Sequence, residues 1–216
     1  MFPLSDSTPR QRLPITNYLI IGLTIYVFLL QLASPDFESF IYRFAFIPAE
    51  FSILRIETYQ FILFSIFLHG GVLHIFSNLW FLRIFGDNVE DRFGHIGFLL
   101  FYLAGGVVSV LSQYMLDQNS IVPLVGASGA ISAAAGAYFV MYKRSTVRTL
   151  VVLVFGLFDI VNIPVWLFLG YWFFIQVVSG VGSIGQAGVD GGVAYMAHIG
   201  GFLFGYGVAR IVDSRK

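Results

Sequence analysis

Six segments of this chain, residues 17–34, 72–85, 96–115, 127–142, 164–178 and 193–212, are helix-length and almost wholly apolar. Few folds accept that pattern. In hydrocarbon every backbone N–H and C=O must be paired internally, which helices and closed barrels achieve. A spanning helix needs about 20 mostly apolar residues, fewer where polar groups face protein or a water-filled cavity. Charged residues make up only 11% of the chain, against about 25% in a soluble domain. The chain therefore reads as an all-α polytopic membrane protein with six transmembrane helices.

Between the first two segments, residues 35–69 mix Asp36, Glu38, Arg43, Glu50, Arg55 and Glu57 with many phenylalanines. This reads as interfacial amphipathic helices. The apolar piece 147–160 is read either as an interfacial or re-entrant element, or as the start of a long fifth helix interrupted at Asn162-Ile163-Pro164. The first segment lacks a clear small-x-small cleavage site and is followed by further spans, so it reads as a retained helix rather than a signal peptide. No stretch is long and polar enough for a separate soluble domain. A single membrane-embedded domain over 1–216 is expected, its helical core about 17–212.

Positive charge accumulates in cytoplasmic loops. With six spans, one side receives Arg10, Arg12, Arg83, Arg92, Lys143, Arg144, Arg148, Arg210, Arg215 and Lys216, and the other only Arg43 and Arg55. Both termini are then cytoplasmic. A formal net charge of zero offers no electrostatic footprint for nucleic acid. Without cysteine there are no disulfides, no thiolate chemistry and no Cys-bound zinc.

Two polar residues stand where lipid-embedded sequence carries them only for cause: Ser128 in Gly126-Ala127-Ser128-Gly129 and His198 in Ala197-His198-Ile199-Gly200-Gly201. A serine hydroxyl becomes a useful nucleophile only beside a base. At 1.5 Å per residue, Ser128 stands roughly 22 Å from Lys143 and His198 roughly 18 Å from Arg210, which puts both in one layer near the outer face. Their helices carry small-residue stripes, Ser128, Ser132 and Gly136 on one, Ala194, His198, Gly201 and Gly205 on the other. Such stripes let backbones approach closely, although packing alone also explains a Gly-x-Ser-Gly. His74 and Asn78, four residues apart, project from one helix face; the plainer reading is an interhelical hydrogen bond. His95 falls in a loop and is expected at the surface. Asp159, the acidic residue inside an apolar run, follows the Lys143–Arg148 cluster and lies at the wrong depth to serve His198, so a Ser–His dyad is expected, with packing orienting the histidine.

These motifs, with His74-Ile75-Phe76-Ser77-Asn78, resemble the rhomboid family of intramembrane serine proteases over about residues 17–210. The resemblance implies a six-helix bundle that cleaves peptide bonds in or near transmembrane segments of other membrane proteins. Ser128 would be the nucleophile and His198 the general base and then acid. His74, Asn78 and the Ser128 N–H would stabilise the oxyanion, with His69, Gly126, Gly129, Gly201 and Gly205 in support. No cofactor or metal is implied. The expected partners are transmembrane substrates and the lipid bilayer, and the expected location is a prokaryotic plasma membrane with the site open to the extracytoplasmic side. Glu90-Asp91-Arg92 matches the family's Glu-x-Arg. Two departures stand out: Ser132 occupies a position that often carries an aromatic stacked on the histidine, and Tyr59-Gln60 stands where a Trp-Arg pair is common. Residues 179–192, with six glycines, resemble the family's cap loop, or form a plain connector. The aromatics of the fifth segment, among them Trp166, Tyr171 and Trp172, read as lipid-facing anchors or a lateral gate. A catalytically inactive client-binding relative and a transporter are rival readings; the presence of both Ser128 and His198 speaks against the first.

Overall fold

The computed structural model describes residues 1–152, 157–182 and 192–214. In chain order these form β1 (Phe2–Asp6), α1 (Ile15–Ala33), α2 (Phe37–Phe44), α3 (Gln60–Ser65), α4 (Val72–Phe93), α5 (His95–Leu116), α6 (Ser128–Met141), β2 (Thr146–Val152), β3 (Phe158–Pro164), α7 (Val165–Gly182) and α8 (Tyr195–Asp213), with 3-10 turns at Pro48–Glu50 and Ile56–Thr58. Each of the six apolar segments is helical, as α1, α4, α5, α6, α7 and α8. Among them α1, α5 and α7 are long and apolar enough to cross a membrane. α4 and α8 carry charges toward their C-terminal ends, and α6 has only 14 residues.

α6 is the centre of the bundle. Every residue from Gly129 to Tyr138 is buried, as expected of a helix that is small and apolar all round. α4, α5, α7 and α8 surround it. The α6–α8 contact is backbone on backbone: a Cβ added at Gly205 would fall inside the Ala133 carbonyl, one at Gly201 inside that of Gly129, and one at Gly136 inside that of Phe202. The glycine stripe therefore sets the spacing of these helices.

Residues 35–69 hold two short helices. Asp36 caps α2 by accepting from the Glu38 and Ser39 N–H groups at 3.0 and 3.2 Å. The loop that follows is anchored by rings rather than by a Trp-Arg pair. Phe51 stands 5.3 Å from Tyr59 and 5.2 Å from Tyr114 of α5, with Phe46 5.2 Å from Phe51.

The all-α expectation needs one correction. Of residues 147–160, those described as regular structure are strand rather than helix: 147–152 belong to β2 and 158–160 to β3, which pair antiparallel from Thr146↔Pro164 to Val152↔Phe158. β1 adds to the other side of β2, giving the order β1-β2-β3. The β-branched run Thr146, Val147, Thr149, Val151, Val152 facing Ile160, Val161, Ile163 favours strands. Val147 and Thr149 point inward, fully buried, while Arg148 between them is exposed. A sheet with an open edge is not stable in hydrocarbon, so it lies beyond the apolar layer.

The N-terminal strand is tied to the bundle by side chains. Trp80 Nε1 donates to the Pro3 carbonyl at 2.6 Å, and Phe2 stacks on Trp80. Asp6 accepts from the Tyr138 hydroxyl at 2.5 Å, from Asn88 Nδ2 at 3.0 Å and from the Thr8 N–H at 3.1 Å. The run Glu90-Asp91-Arg92 works in the same layer. Buried Glu90 accepts from the Thr16 and Asn17 N–H groups at 2.9 and 2.7 Å, capping α1, which has no cap of its own. Asp91 accepts from the N–H groups of Gln11 and Arg12, and Arg92 pairs with Asp213 of α8 at 3.0 Å. His95, expected at the surface, is half exposed and turns Nδ1 to Glu90 Oε1 at 2.5 Å.

Replacing Asp6 with alanine takes one acceptor each from the Tyr138 hydroxyl and the Asn88 amide, which keep Thr8 Oγ1 at 2.7 Å and Asp87 Oδ1 at 3.1 Å. A hydrogen bond contributes about 0.5–1.5 kcal/mol net, so with two such bonds lost Asp6→Ala should destabilise the chain by about 1–3 kcal/mol. Equilibrium unfolding in detergent checks this; a variant as stable as the parent would remove the strap from the stability argument.

Candidate active site

The local fold delivers each polar residue for a physical reason. The segment 122–127 runs into the N-terminus of α6 and is pinned through its N–H groups: Leu124 N–H to the Phe46 carbonyl at 2.8 Å, Gly126 N–H to the Ser65 carbonyl at 2.9 Å, Ala127 N–H to His69 Nε2 at 3.4 Å. Ser128 is the first residue of α6, so its own N–H has no place in the helix ladder. Gly126 has φ +121°, a conformation that favours glycine, and a Cβ there would meet His74 Nε2 at 2.7 Å. The bare glycine keeps open the space between His74 and Ser128.

Ser128 Oγ and His198 Nε2 are 2.8 Å apart. On the other side of the ring, His198 Nδ1 lies 2.7 Å from Gln176 Oε1, on α7. An amide oxygen only accepts, so Nδ1 carries the hydrogen and Nε2 presents its lone pair to the serine hydroxyl. Trp172, one turn before Gln176, sets its ring 5.9 Å from the imidazole at 33°. The aromatic support missing at Ser132 thus comes from α7, while Ser132 Oγ donates to the Ser128 carbonyl at 2.6 Å.

His74 has its tautomer set in the opposite sense. Its Nδ1 accepts from the Gly70 N–H at 3.3 Å, leaving Nε2 to carry the hydrogen and face Gly126 and Ser128. Asn78 uses one amide hydrogen on the His74 carbonyl at 3.0 Å; the amide has a second. His69 is fully buried, its Nδ1 on the Phe67 carbonyl at 3.2 Å, its ring 5.0 Å from that of His74. Gln31 of α1 holds the His69 backbone at both ends, donating to its carbonyl at 3.0 Å and accepting its N–H at 3.1 Å.

One cavity of about 590 Å³ collects His74, Asn78, Ser128, Trp172 and His198, with 122–125 as one wall. Among the described residues no carboxylate, lysine or arginine lines it. Asp159 is on β3, away from the cavity. Among the described residues no group of three or more His, Asp and Glu could hold a metal. The glycine-rich stretch 179–192 lies from 183 to 191 outside the described residues; Gly192 and Val193 line the cavity.

The rhomboid domain family model matches residues 55–215. This chain belongs to the rhomboid family. It is 32% identical over 190 residues to the rhomboid protease GluP of Bacillus subtilis, covering 87% of this chain and 35% of that protein. It is 43% identical over 74 residues to the chloroplastic rhomboid-like protein 11 of Arabidopsis thaliana, covering 34% of this chain and 25% of that one. With rhomboid-like protease 5 of Toxoplasma gondii it shares 27% over 160 residues, 71% of this chain and 16% of the relative. The chain spans about a third or less of the length of these relatives. Family membership and the apolar helices together make it an integral membrane protein, built as a rhomboid helical bundle.

Sequence reasoning missed Gln176, Trp172 and Gln31. Gln176 and Gln31 were legible as polar residues inside apolar segments, the same signal that singled out Ser128. Trp172 was hidden among five other aromatics.

The glycine contacts of this rhomboid fold give a test with an internal control. Gly205→Ala forces α6 and α8 apart and should cost about 1–3 kcal/mol. Gly207, two residues on, has nothing within 4 Å of an added Cβ, and Gly207→Ala should stabilise by up to about 1 kcal/mol. Thermal unfolding of both variants measures the contrast; equal behaviour would deny the backbone contact its role.

Proposed function

We propose that this chain is an intramembrane serine endopeptidase that hydrolyses peptide bonds in or near transmembrane segments of other proteins. The observation that carries the reading is the 2.8 Å contact between Ser128 Oγ and His198 Nε2 in the wall of a cavity of about 590 Å³. In this mechanism Ser128 Oγ attacks the substrate carbonyl as its proton passes to His198 Nε2. Gln176 Oε1 holds Nδ1–H throughout, keeping the ring in the tautomer and plane that receive the proton. The oxygen that becomes negative is met by the Ser128 N–H, His74 Nε2–H and the free hydrogen of Asn78, all neutral donors. His198 then protonates the leaving amine, and water admitted through the cavity hydrolyses the acyl-enzyme.

The reading extends to topology. As one membrane-embedded domain, α1 and α4–α8 span, the termini and the sheet lie on the cytoplasmic side of a prokaryotic plasma membrane, and the cavity opens to the extracytoplasmic side. The ten-to-two division of basic residues supports that orientation. α6 is about 21 Å long, shorter than a hydrocarbon core of about 30 Å, so Ser128 at its tip is recessed below the surface. A substrate helix has its backbone groups paired internally, so local unwinding must precede attack, and helix-weakening residues near the outer face are favoured at the cleavage site.

A serine-directed fluorophosphonate applied to the full chain in detergent should label it, and Ser128→Ala should abolish both labelling and cleavage of a transmembrane peptide while leaving thermal stability nearly unchanged. Labelling that survives in Ser128→Ala would refute the assignment of the nucleophile.

The Gln176 contact yields a graded expectation. Losing one hydrogen bond of about 1–2 kcal/mol from the base slows chemistry roughly 5–30-fold, so Gln176→Leu should lower kcat by that factor with KM little altered. Gln176→Glu keeps an acceptor and should retain more activity than Gln176→Leu. Parental kcat in Gln176→Leu would reduce the residue to packing.

A further inference from the structure

At the opposite end of α6 from Ser128, a second cavity of about 440 Å³ opens between the α6–β2 turn and the start of α7, lined by Lys143, Arg144, Thr146, Pro164 and Trp166. Its frame is fixed by backbone. The Ser145 N–H donates to the Tyr142 carbonyl at 2.9 Å, the Val165 N–H donates to the Ser145 carbonyl at 2.9 Å, and Thr146 pairs with Pro164. The turn is therefore locked over the first residues of α7, and its two cations share one rim. Among the described residues neither has an acidic partner: the ion pairs there are Arg92–Asp213 and His95–Glu90, and the described cavity lining holds no carboxylate. A third cation, Arg148, is exposed on the adjoining strand, across from Asn162. Adjacent like charges held in place call for an anion.

The other wall belongs to lipid. Trp166 is exposed at the cavity, and from it an exposed apolar stripe, Leu167, Tyr171, Phe174 and Val178, runs along one face of α7. From 167 to 178 the stripe is roughly 17 Å long, close to the ~15 Å depth of one leaflet in a ~30 Å core. The open-edged sheet on the other side cannot enter hydrocarbon, so the cavity sits at the boundary between apolar layer and water. Trp166 has the amphipathic ring suited to that boundary.

We infer that this cavity binds an anionic phospholipid, its phosphodiester between Lys143 and Arg144, its glycerol region against Trp166 and its acyl chains along the Leu167–Val178 face of α7. Charge complementarity and the continuous path from cationic rim to apolar stripe select this occupant over a free anion, which would use only the rim, and over a neutral lipid, which would use only the stripe. Basic pockets at the cytoplasmic ends of membrane helices bind anionic headgroups on the same terms.

The test uses the full chain in phosphatidylcholine nanodiscs carrying a minor fraction of phosphatidylglycerol, with retained lipid counted by native mass spectrometry. Phosphatidylglycerol should be retained in preference to phosphatidylcholine. Each basic side chain contributes about fivefold to anionic-lipid binding, so Lys143→Ala with Arg144→Ala should lower the preference roughly thirtyfold. Arg10→Ala with Arg12→Ala, which removes the same charge outside the cavity, should leave it unchanged, and Trp166→Ala should weaken retention without a change of charge. If the double variant unfolds in phosphatidylcholine, Lys143→Gln and Arg144→Gln made singly should each cost about fivefold. Equal preference in the cavity variants and the parent, or an equal fall in the Arg10 and Arg12 control, overturns the site. Displacement of the lipid by millimolar inorganic phosphate overturns the lipid as its ligand.

Discussion

The contact between α6 and α8 sets the rest of the geometry. Hydrophobic exclusion does not drive two helices together in lipid, where the solvent is as apolar as the side chains; close packing and polar contacts must do so. Here Gly201 and Gly205 meet the carbonyls of Gly129 and Ala133 directly, and Gly136 meets that of Phe202. This spacing carries His198 to within hydrogen-bond reach of Ser128. α5 adds to it from a third side: a Cβ on Gly129 would strike Ser109, and one on Gly200 would strike Ser112. The small residues of α6 thus settle both the packing of the core and the position of the serine at its tip.

The far end of the bundle is held by different means. There the helices end in polar residues, and Glu90, Asp91 and Arg92 bind α1, the segment before it and α8 in turn. Asp6 and Trp80 tie down the first strand. Backbone N–H groups at a helix start need acceptors, and Glu90 supplies them to α1 from another helix because Pro14 cannot. The match of these three residues to the family pattern thus has a structural cause, unconnected with the cavity some twenty ångströms away by helix rise.

Helices were legible in the sequence because apolar length has few alternatives in hydrocarbon. Ser128 and His198 were legible because a polar group there is conspicuous, and counting residues from the basic end sufficed to match their depth. The strands β2 and β3 were not legible from hydrophobicity, since an apolar run of strand residues and one of helix residues look alike without regard to β-branching. The partner of His198 Nδ1 was missed for a subtler reason. A carboxylate is the familiar partner of such a ring nitrogen, and Asp159 stands at the wrong depth for it; Gln176 presents an acceptor without a charge.

That substitution of amide for carboxylate fits the setting. A buried carboxylate beside a neutral imidazole would have to be desolvated, at a cost of several kcal/mol, and among the described residues no lysine or arginine lines the cavity to offset it. Gln176 gives the same directional hold on Nδ1–H with a neutral dipole. His69 and His74 obey the same restriction: backbone groups take both ring nitrogens of the first, Phe67 O at Nδ1 and Ala127 N–H at Nε2, and one of the second, Gly70 N–H at Nδ1. Three imidazoles therefore share a small space with each hydrogen assigned by its neighbour. On the proposed mechanism charge enters this space only when Ser128 attacks, as an imidazolium at His198 and an oxyanion beside His74. The two arise together and oppose each other across the Ser128 side chain, so a site whose described lining holds no carboxylate, lysine or arginine meets the transition state with a pair of charges that largely cancel.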